Sequence, residues 1–274
     1  MTSITALLER SWARSSSLLC VGLDPEPSRF PLALRNDPSS TVTFCTAIVD
    51  ATKDLVCAYK PQIAYFAAFG GESALEAVIQ HIRAVAPDVP VILDAKRGDI
   101  GPTAQQYARE AFDRYGADAV TVNPYLGYDT IEPFVERGSV FVLCRTSNPG
   151  SGDLQSLMVD GEPLYRRVAR NLCERFADSG RLGLVVGATY PEELGEVRRA
   201  VGSVPLLVPG IGAQGGDVEA VGAALTTVGG VVVNSSRAVL YAGEGEDFAD
   251  ASRSVALATR DELARVHRTH QHRA

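Results

Sequence analysis

The residues best suited to chemistry stand in one short stretch, Asp94-Ala95-Lys96-Arg97-Gly98-Asp99, which follows the apolar, β-branched run Val91-Ile92-Leu93. Such a run reads as a buried strand. Alternate strand residues face one side, so Asp94 and Lys96 are expected to project together. An acid and a base on a buried face are costly unless they are paired or used. Gly98 permits a sharp turn, and Asp99 follows on the exit loop. Negative charge on both sides favours the ammonium form of a lysine. The stretch therefore describes a proton donor positioned by anions. A structural ion-pair network uses the same residue types, and the ends of the other strands decide between the two.

Those ends repeat one pattern along the chain. Short apolar runs at 18–23, 56–59, 89–93, 119–122, 140–144, 182–186, 206–208 and 231–233 alternate with helical stretches. The helices are expected near 39–53, 72–86, 103–115, 128–137, 163–178, 191–200, 216–226 and 247–266, with one more at 3–14 ahead of any strand. Strand–helix alternation with continuous apolar strands implies a parallel sheet. Eight such units match an α/β fold of the (β/α)8 TIM barrel type, with a doubly wound open sheet as the alternative. No composition shift or linker divides the chain, so residues 1–274 are expected to form a single barrel domain. The end carrying His267, His270 and His272 is expected to be a disordered tail.

Polar residues gather where these strands end: Asp24, Lys60, Asp94, Lys96, Asn123, Ser147, Gln214 and Arg237. In a barrel those ends share one face, and active sites lie there. Ser147-Asn148-Pro149-Gly150 is also ordinary turn chemistry. Gly210-Ile211-Gly212-Ala213-Gln214-Gly215 spells G-x-G-x-x-G. A dinucleotide fingerprint needs an early βαβ unit and an acid about 20 residues on. Here the motif follows the seventh strand, and the next strand ends in Asn234-Ser235-Ser236. A phosphate cradle fits better, because barrels bind phosphate with the loops after strands seven and eight. Backbone amides near Gly212 to Gly215 and at Ser236 are candidate donors, with Gln214 beside them and Arg237 as a bidentate clamp.

The totals narrow the function classes. The 274 residues carry 26 Lys plus Arg against 33 Asp plus Glu, a net charge of −7. An acidic chain argues against nucleic-acid or membrane-surface partners, so an anionic substrate has to be attracted by a local cluster of bases. Five scattered cysteines without a C-x-x-C suggest neither a disulfide framework nor a zinc site and fit a reducing cytoplasm. Cys20, Cys57 and Cys144 read as small core residues. No stretch approaches the roughly 18 apolar residues that span a bilayer.

Taken together, Asp94-x-Lys96-x-x-Asp99-Ile100, Asp24, Lys60, the Ser147 turn, Pro209-Gly210-Ile211-Gly212-Ala213-Gln214-Gly215-Gly216-Asp217 and Arg237 resemble the orotidine 5′-phosphate decarboxylase family. Asp94 to Gly101 and the turn Asn123-Pro124-Tyr125-Leu126-Gly127 resemble its second bacterial type. The resemblance covers about residues 18–241 and implies conversion of orotidine 5′-phosphate to uridine 5′-phosphate and CO2, with no cofactor and no metal, in pyrimidine biosynthesis. It also implies a role for each matched residue. Asp24 and Lys60 contact ribose hydroxyls, Asp94 lies beside the substrate carboxylate, and Lys96 protonates carbon six. Ser147 contacts the pyrimidine, Gln214 and Arg237 hold phosphate, and Asn123, Pro209 and Ser236 complete the substrate surroundings. Asp99, Ile100 and Thr103 reach the neighbouring subunit's site, which implies a homodimer with shared sites. Two positions depart from the family pattern: Ser236 replaces a common glycine before the arginine, and Asn148 replaces a common histidine.

Three rivals share parts of this pattern. A phosphosugar decarboxylase or lyase of the same superfamily would use Mg2+. A Schiff-base aldolase would need Lys96 or Lys60 with a lowered pKa, which flanking carboxylates oppose. A non-enzymatic phosphate-ligand sensor would keep the barrel and bind without turnover.

Overall fold

The computed structural model describes residues 3–35, 39–69, 71–210, 218–224 and 230–271. Eight parallel strands form the core: β1 Leu19–Leu23, β2 Ala58–Pro61, β3 Ile92–Arg97, β4 Ala119–Val122, β5 Ser139–Arg145, β6 Leu182–Val186, β7 Leu206–Pro209 and β8 Val231–Ser235. Each hydrogen-bonds to the next, and β8 returns to β1, so the order β2-β1-β8-β7-β6-β5-β4-β3 runs round a (β/α)8 barrel.

Seven joints of the ring are ladders. The eighth, between β2 and β3, is made by two isolated bridges, Tyr59 with Val91 and Gln62 with Asp94. Its backbone explains this. The Tyr59 amide donates to Pro90 O at 3.0 Å. The next donor on that edge belongs two residues on, at Pro61, which has no N–H.

Strand alternation stacks the interior in layers. Cys20, Ala58, Ile92, Ala119, Phe141, Val185, Leu207 and Val232, one from each strand, form an apolar cluster with Ile4 and Leu8 of the first helix, Ile4–Ser15. That helix therefore plugs the N-terminal end. Two residues further along their strands come Gly22, Lys60, Asp94, Thr121, Leu143, Pro209 and Asn234. This second layer is largely polar and begins the C-terminal mouth. A larger apolar cluster fills the space between strands and helices, with Phe30, Phe44, Ile48, Leu75 and Phe134 among its fully buried members. Burial pushes the Cys20 and Cys144 thiols up to about 12, in keeping with small core residues.

Several elements differ from the sequence reading. The helix expected at 103–115 begins at Gly101, runs to Arg109 and continues as a π turn over Glu110–Arg114. Arg97 holds that junction, with Nε and Nη2 each 3.0 Å from a Glu110 carboxylate oxygen. Short helices form at Ile63–Ala67 and Arg237–Leu240, outside the expected helical stretches. Of the helix expected at 216–226, Val218–Val221 and Gly222–Ala224 are described. The stretch after Ser147 holds a short helix, Gly152–Gln155, and a two-strand hairpin, Met158–Val159 with Glu162–Pro163.

The final helix, Phe248–Gln271, passes the expected end at residue 266. Leu263 and Val266, one turn apart and fully buried, anchor this stretch of the helix. The disordered tail expected from His267 is thus helical as far as Gln271, and His272 lies outside the described residues. No helix among the described residues is long and apolar enough to cross a membrane.

Candidate active site

Asp94 is the hub of the mouth. It is 7% exposed and Lys60 4%. Lys60 Nζ donates to Asp94 Oδ2 at 2.8 Å, bridging the β2–β3 joint. Lys96 Nζ donates to Asp94 Oδ1 at 2.7 Å, and Thr121 Oγ donates to the same oxygen at 2.8 Å. One carboxylate thus ties three strands together.

Simple alternation does not bring Lys96 to Asp94. The β3–β4 register shifts between Leu93 and Arg97, and Lys96 has φ +45°, in the left-handed region rare for a side-chain-bearing residue. The amides of Ala95 and Lys96 both donate to Thr121 Oγ, at 3.0 and 2.9 Å, which holds the distortion. Such strain costs about 1–3 kcal/mol and persists where surrounding contacts impose it.

Burial works against both charges of the central pair, and the pairing outweighs it. Burial pushes the Asp94 carboxyl up, yet Lys60 and Lys96 hold it well below the usual carboxylate range. Burial disfavours the Lys60 ammonium, yet Asp94 and Asp24 hold its pKa above the ordinary lysine value. The unfolded reference values are about 3.9 and 10.4. The pair's stabilisation is therefore complete from about pH 4 to 10. It is lost as pH falls through the depressed Asp94 value or rises through the elevated Lys60 value.

Asp94→Asn leaves a buried ammonium without its anion and should cost about 3–5 kcal/mol at pH 7. Urea unfolding checks this. Wild-type stability should also drop between pH 5 and pH 3 more steeply than that of the variant. Parallel pH slopes would remove Asp94 from this role.

Beside the pair lies a cavity of about 250 Å3 lined by Asp24, Lys60, Gln62, Tyr65, Asp94, Pro209, Gly210, Asn234, Ser236 and Arg237. Two of its acceptors, Asp24 Oδ1 and Asn234 Oδ1, are buried and take no hydrogen bond among the described residues. A buried acceptor left so costs about 1–3 kcal/mol, which hydroxyl donors of a ligand would relieve. Asn234 Nδ2 meets Ser236 Oγ at 3.1 Å. Both crowd Gly22, where a Cβ would fall 1.9 Å from Ser236 Oγ and 2.8 Å from Asn234 Oδ1. Only glycine fits this close approach of β1 to β8.

The cavity thus collects six expected residues: Asp24, Lys60, Asp94, Pro209, Ser236 and Arg237. Lys96 joins them through Asp94. Asp99 does not flank Lys96 within this chain. Its Oδ1 instead accepts the Ile100 amide at 2.8 Å. Ile100 and Thr103 are exposed just outside the mouth. Asn123 lines a separate, more apolar cavity of about 560 Å3, with Tyr125, Tyr128 and Leu154. Ser147 lines neither cavity, and its backbone packs on Gly187 of the β6 exit. Gln214 lies outside the described residues, as do the other glycine-rich loop positions 211–217. Gln62, Tyr65, Asn234 and Thr121 were missed as site residues. Thr121 had a signal, as the one polar residue in Ala119-Val120-Thr121-Val122.

The chain is similar in sequence and in fold to known proteins. A model of the orotidine 5′-phosphate decarboxylase / HUMPS family matches residues 17–251. An orotidine 5′-phosphate decarboxylase of Azoarcus sp. (strain BH72) is 60% identical over 261 residues, 93% of this chain and 96% of that protein. A solved Toxoplasma gondii structure aligns with TM-score 0.87 at 38% identity, covering 97% of each chain. The Leishmania donovani OMP decarboxylase structure aligns with TM-score 0.81 at 37% identity, covering 97% of this chain and 99% of that one.

Proposed function

This chain belongs to the orotidine 5′-phosphate decarboxylase family, and from that membership we propose that it converts orotidine 5′-phosphate to uridine 5′-phosphate and CO2 without a cofactor, with Lys96 as the proton donor. The observation that carries the mechanism is the Lys60–Asp94–Lys96 ion-pair chain beside a cavity with unpartnered acceptors.

The substrate's ribose lies against Asp24 and Lys60, where its hydroxyls donate to the unpartnered Asp24 oxygen and accept from the ammonium. Its carboxylate comes to rest near Asp94. As the bond between that group and carbon six breaks, the electron pair stays on carbon six and CO2 leaves. The resulting carbanion is strongly basic, and a cation fixed nearby stabilises it as it forms. The Lys96 ammonium fills that place and then transfers a proton to carbon six, and the amine regains one from water. Repulsion between Asp94 and the substrate carboxylate is relieved when CO2 departs.

Arg237, exposed at the start of its short helix, clamps the phosphate together with the loop after β7 that carries Gln214. Phosphate is remote from the reacting carbon, so its binding energy can close loops and exclude water. Pro209 and Ser236 line the same end, and Ser147 and Asn123 bound the pyrimidine side.

The active unit is a two-fold homodimer in the cytoplasm, with Asp99, Ile100 and Thr103 entering the partner's site. Supporting this, Asp99 has no ion pair with Lys96 in its own chain among the described residues. Ile100 is 62% and Tyr125 78% exposed on the mouth face. A dimer interface would cover both side chains and remove their apolar area from water.

Purified protein with excess chelator should consume orotidine 5′-phosphate, followed by loss of its ultraviolet absorbance. Turnover that vanishes under chelation and returns with Mg2+ would favour a metal-dependent phosphosugar lyase. Binding without turnover would favour a sensor.

A further inference from the structure

We propose that Arg145 is a positioning residue that fixes the loop carrying Ser147 and thereby sets recognition of the substrate's pyrimidine end; this rests on the placement of Ser147 proposed above.

Arg145 is the last residue of β5 and is 3% exposed. Its guanidinium reaches two consecutive loops of the mouth. On the far side, Nε donates to Glu193 Oε2 at 2.5 Å, and the group lies 4.3 Å from the Tyr190 ring centroid. On the near side, Nη1 donates to Ser151 Oγ, to Thr146 O at 3.3 Å and to Gln155 Oε1 at 3.4 Å. Gln155 continues the fastening. It accepts the Thr146 amide and donates to Thr146 Oγ, both at 2.8 Å. Thr146 Oγ in turn donates to Asn148 Oδ1 at 2.6 Å.

Ser147 is the residue between those two fastened neighbours. From behind it is held by β6: the Gly187 amide donates to Arg145 O at 2.8 Å. A Cβ at Gly187 would fall 2.9 Å from Ser147 Cβ and 3.1 Å from its amide nitrogen. The buried cation thus locks the turn on one side and a bare glycine admits it on the other. A planar fork that serves two loops at once is a task for arginine and cannot be done by the single ammonium of lysine.

The test compares two ligands that differ only in the base. Uridine 5′-phosphate and ribose 5-phosphate are used as competitive inhibitors of wild type, Arg145→Lys, Glu193→Gln and Ser147→Ala. Arg145→Lys and Glu193→Gln should weaken uridine 5′-phosphate about tenfold, the scale of a lost hydrogen bond to a fixed group. Ribose 5-phosphate should stay within about twofold. In a Ser147→Ala background, Arg145→Lys should add almost nothing, because its effect passes through Ser147. Equal losses for both ligands, no loss, or full additivity would overturn the inference. Glu193→Gln keeps the question answerable if Arg145→Lys does not fold. A wild type that turns over no orotidine 5′-phosphate would overturn the functional reading first, and is distinguished by that measurement.

Discussion

Lys96→Ala should remain folded and lose at least about 10³-fold in turnover, the combined scale of a proton donor and a charge stabiliser. The fold should survive because Lys96 is about half exposed and Asp94 keeps two partners, Lys60 at 2.8 Å and Thr121 at 2.8 Å. Alanine meets the same backbone strain at φ +45°, so the substitution neither relieves nor deepens it. Substrate binding should persist, since Asp24, Lys60 and Arg237 remain in the cavity. Circular dichroism and binding of uridine 5′-phosphate report the intact fold and pocket. Substantial turnover in that folded variant would contradict the assignment of Lys96 as proton donor.

Mixing two dead proteins should restore activity. Lys96→Ala and Asp99→Ala each lack one member of every site. In a mixed dimer, one site draws Lys96 from the first chain and Asp99 from the second, both intact, while the other site carries both lesions. Random pairing makes about half the dimers mixed, so about a quarter of wild-type activity should return after co-expression or co-refolding. Within one chain, Asp99 spends its Oδ1 on the neighbouring Ile100 amide, and Lys96 pairs with Asp94. A mixture that demonstrably exchanges subunits yet stays inactive would show that each site is built within a single chain.

The barrel was legible because its strands are continuous apolar runs that turn polar at one end. That contrast puts Asp24, Lys60, Asp94 and Arg237 on one face from the sequence alone. The structure adds the layers: Ala58 and Ile92 are interior, and Lys60 and Asp94 stand two residues further along. What the sequence hid was non-local. The shifted register that carries Lys96 depends on Thr121, a residue of the next strand. Arg145 heads a turn-like string with no local sign of burial, and its partner Glu193 lies 48 positions away. Thr121 stands out as the one polar residue of its strand, yet nothing local shows whether it or Asn234 points inward. The helical continuation to Gln271 rests on packing at Leu263 and Val266, which a histidine-bearing end obscured.

The joint between β2 and β3 is where the ring is held least by its backbone. Where the backbone supplies only two bridges, the Lys60–Asp94 contact acts as a clasp across the gap. Any opening there would separate Lys60 from Asp94 and disturb the cavity that both line. On the proposed binding mode, a nucleotide that contacts Lys60 on one lip and Asp94 on the other would close the hoop from outside. Substrate would then serve as a temporary structural member. Pro61 is what makes this so: by withholding one amide hydrogen, it leaves the joint to two backbone bridges and to two side chains that line the mouth cavity.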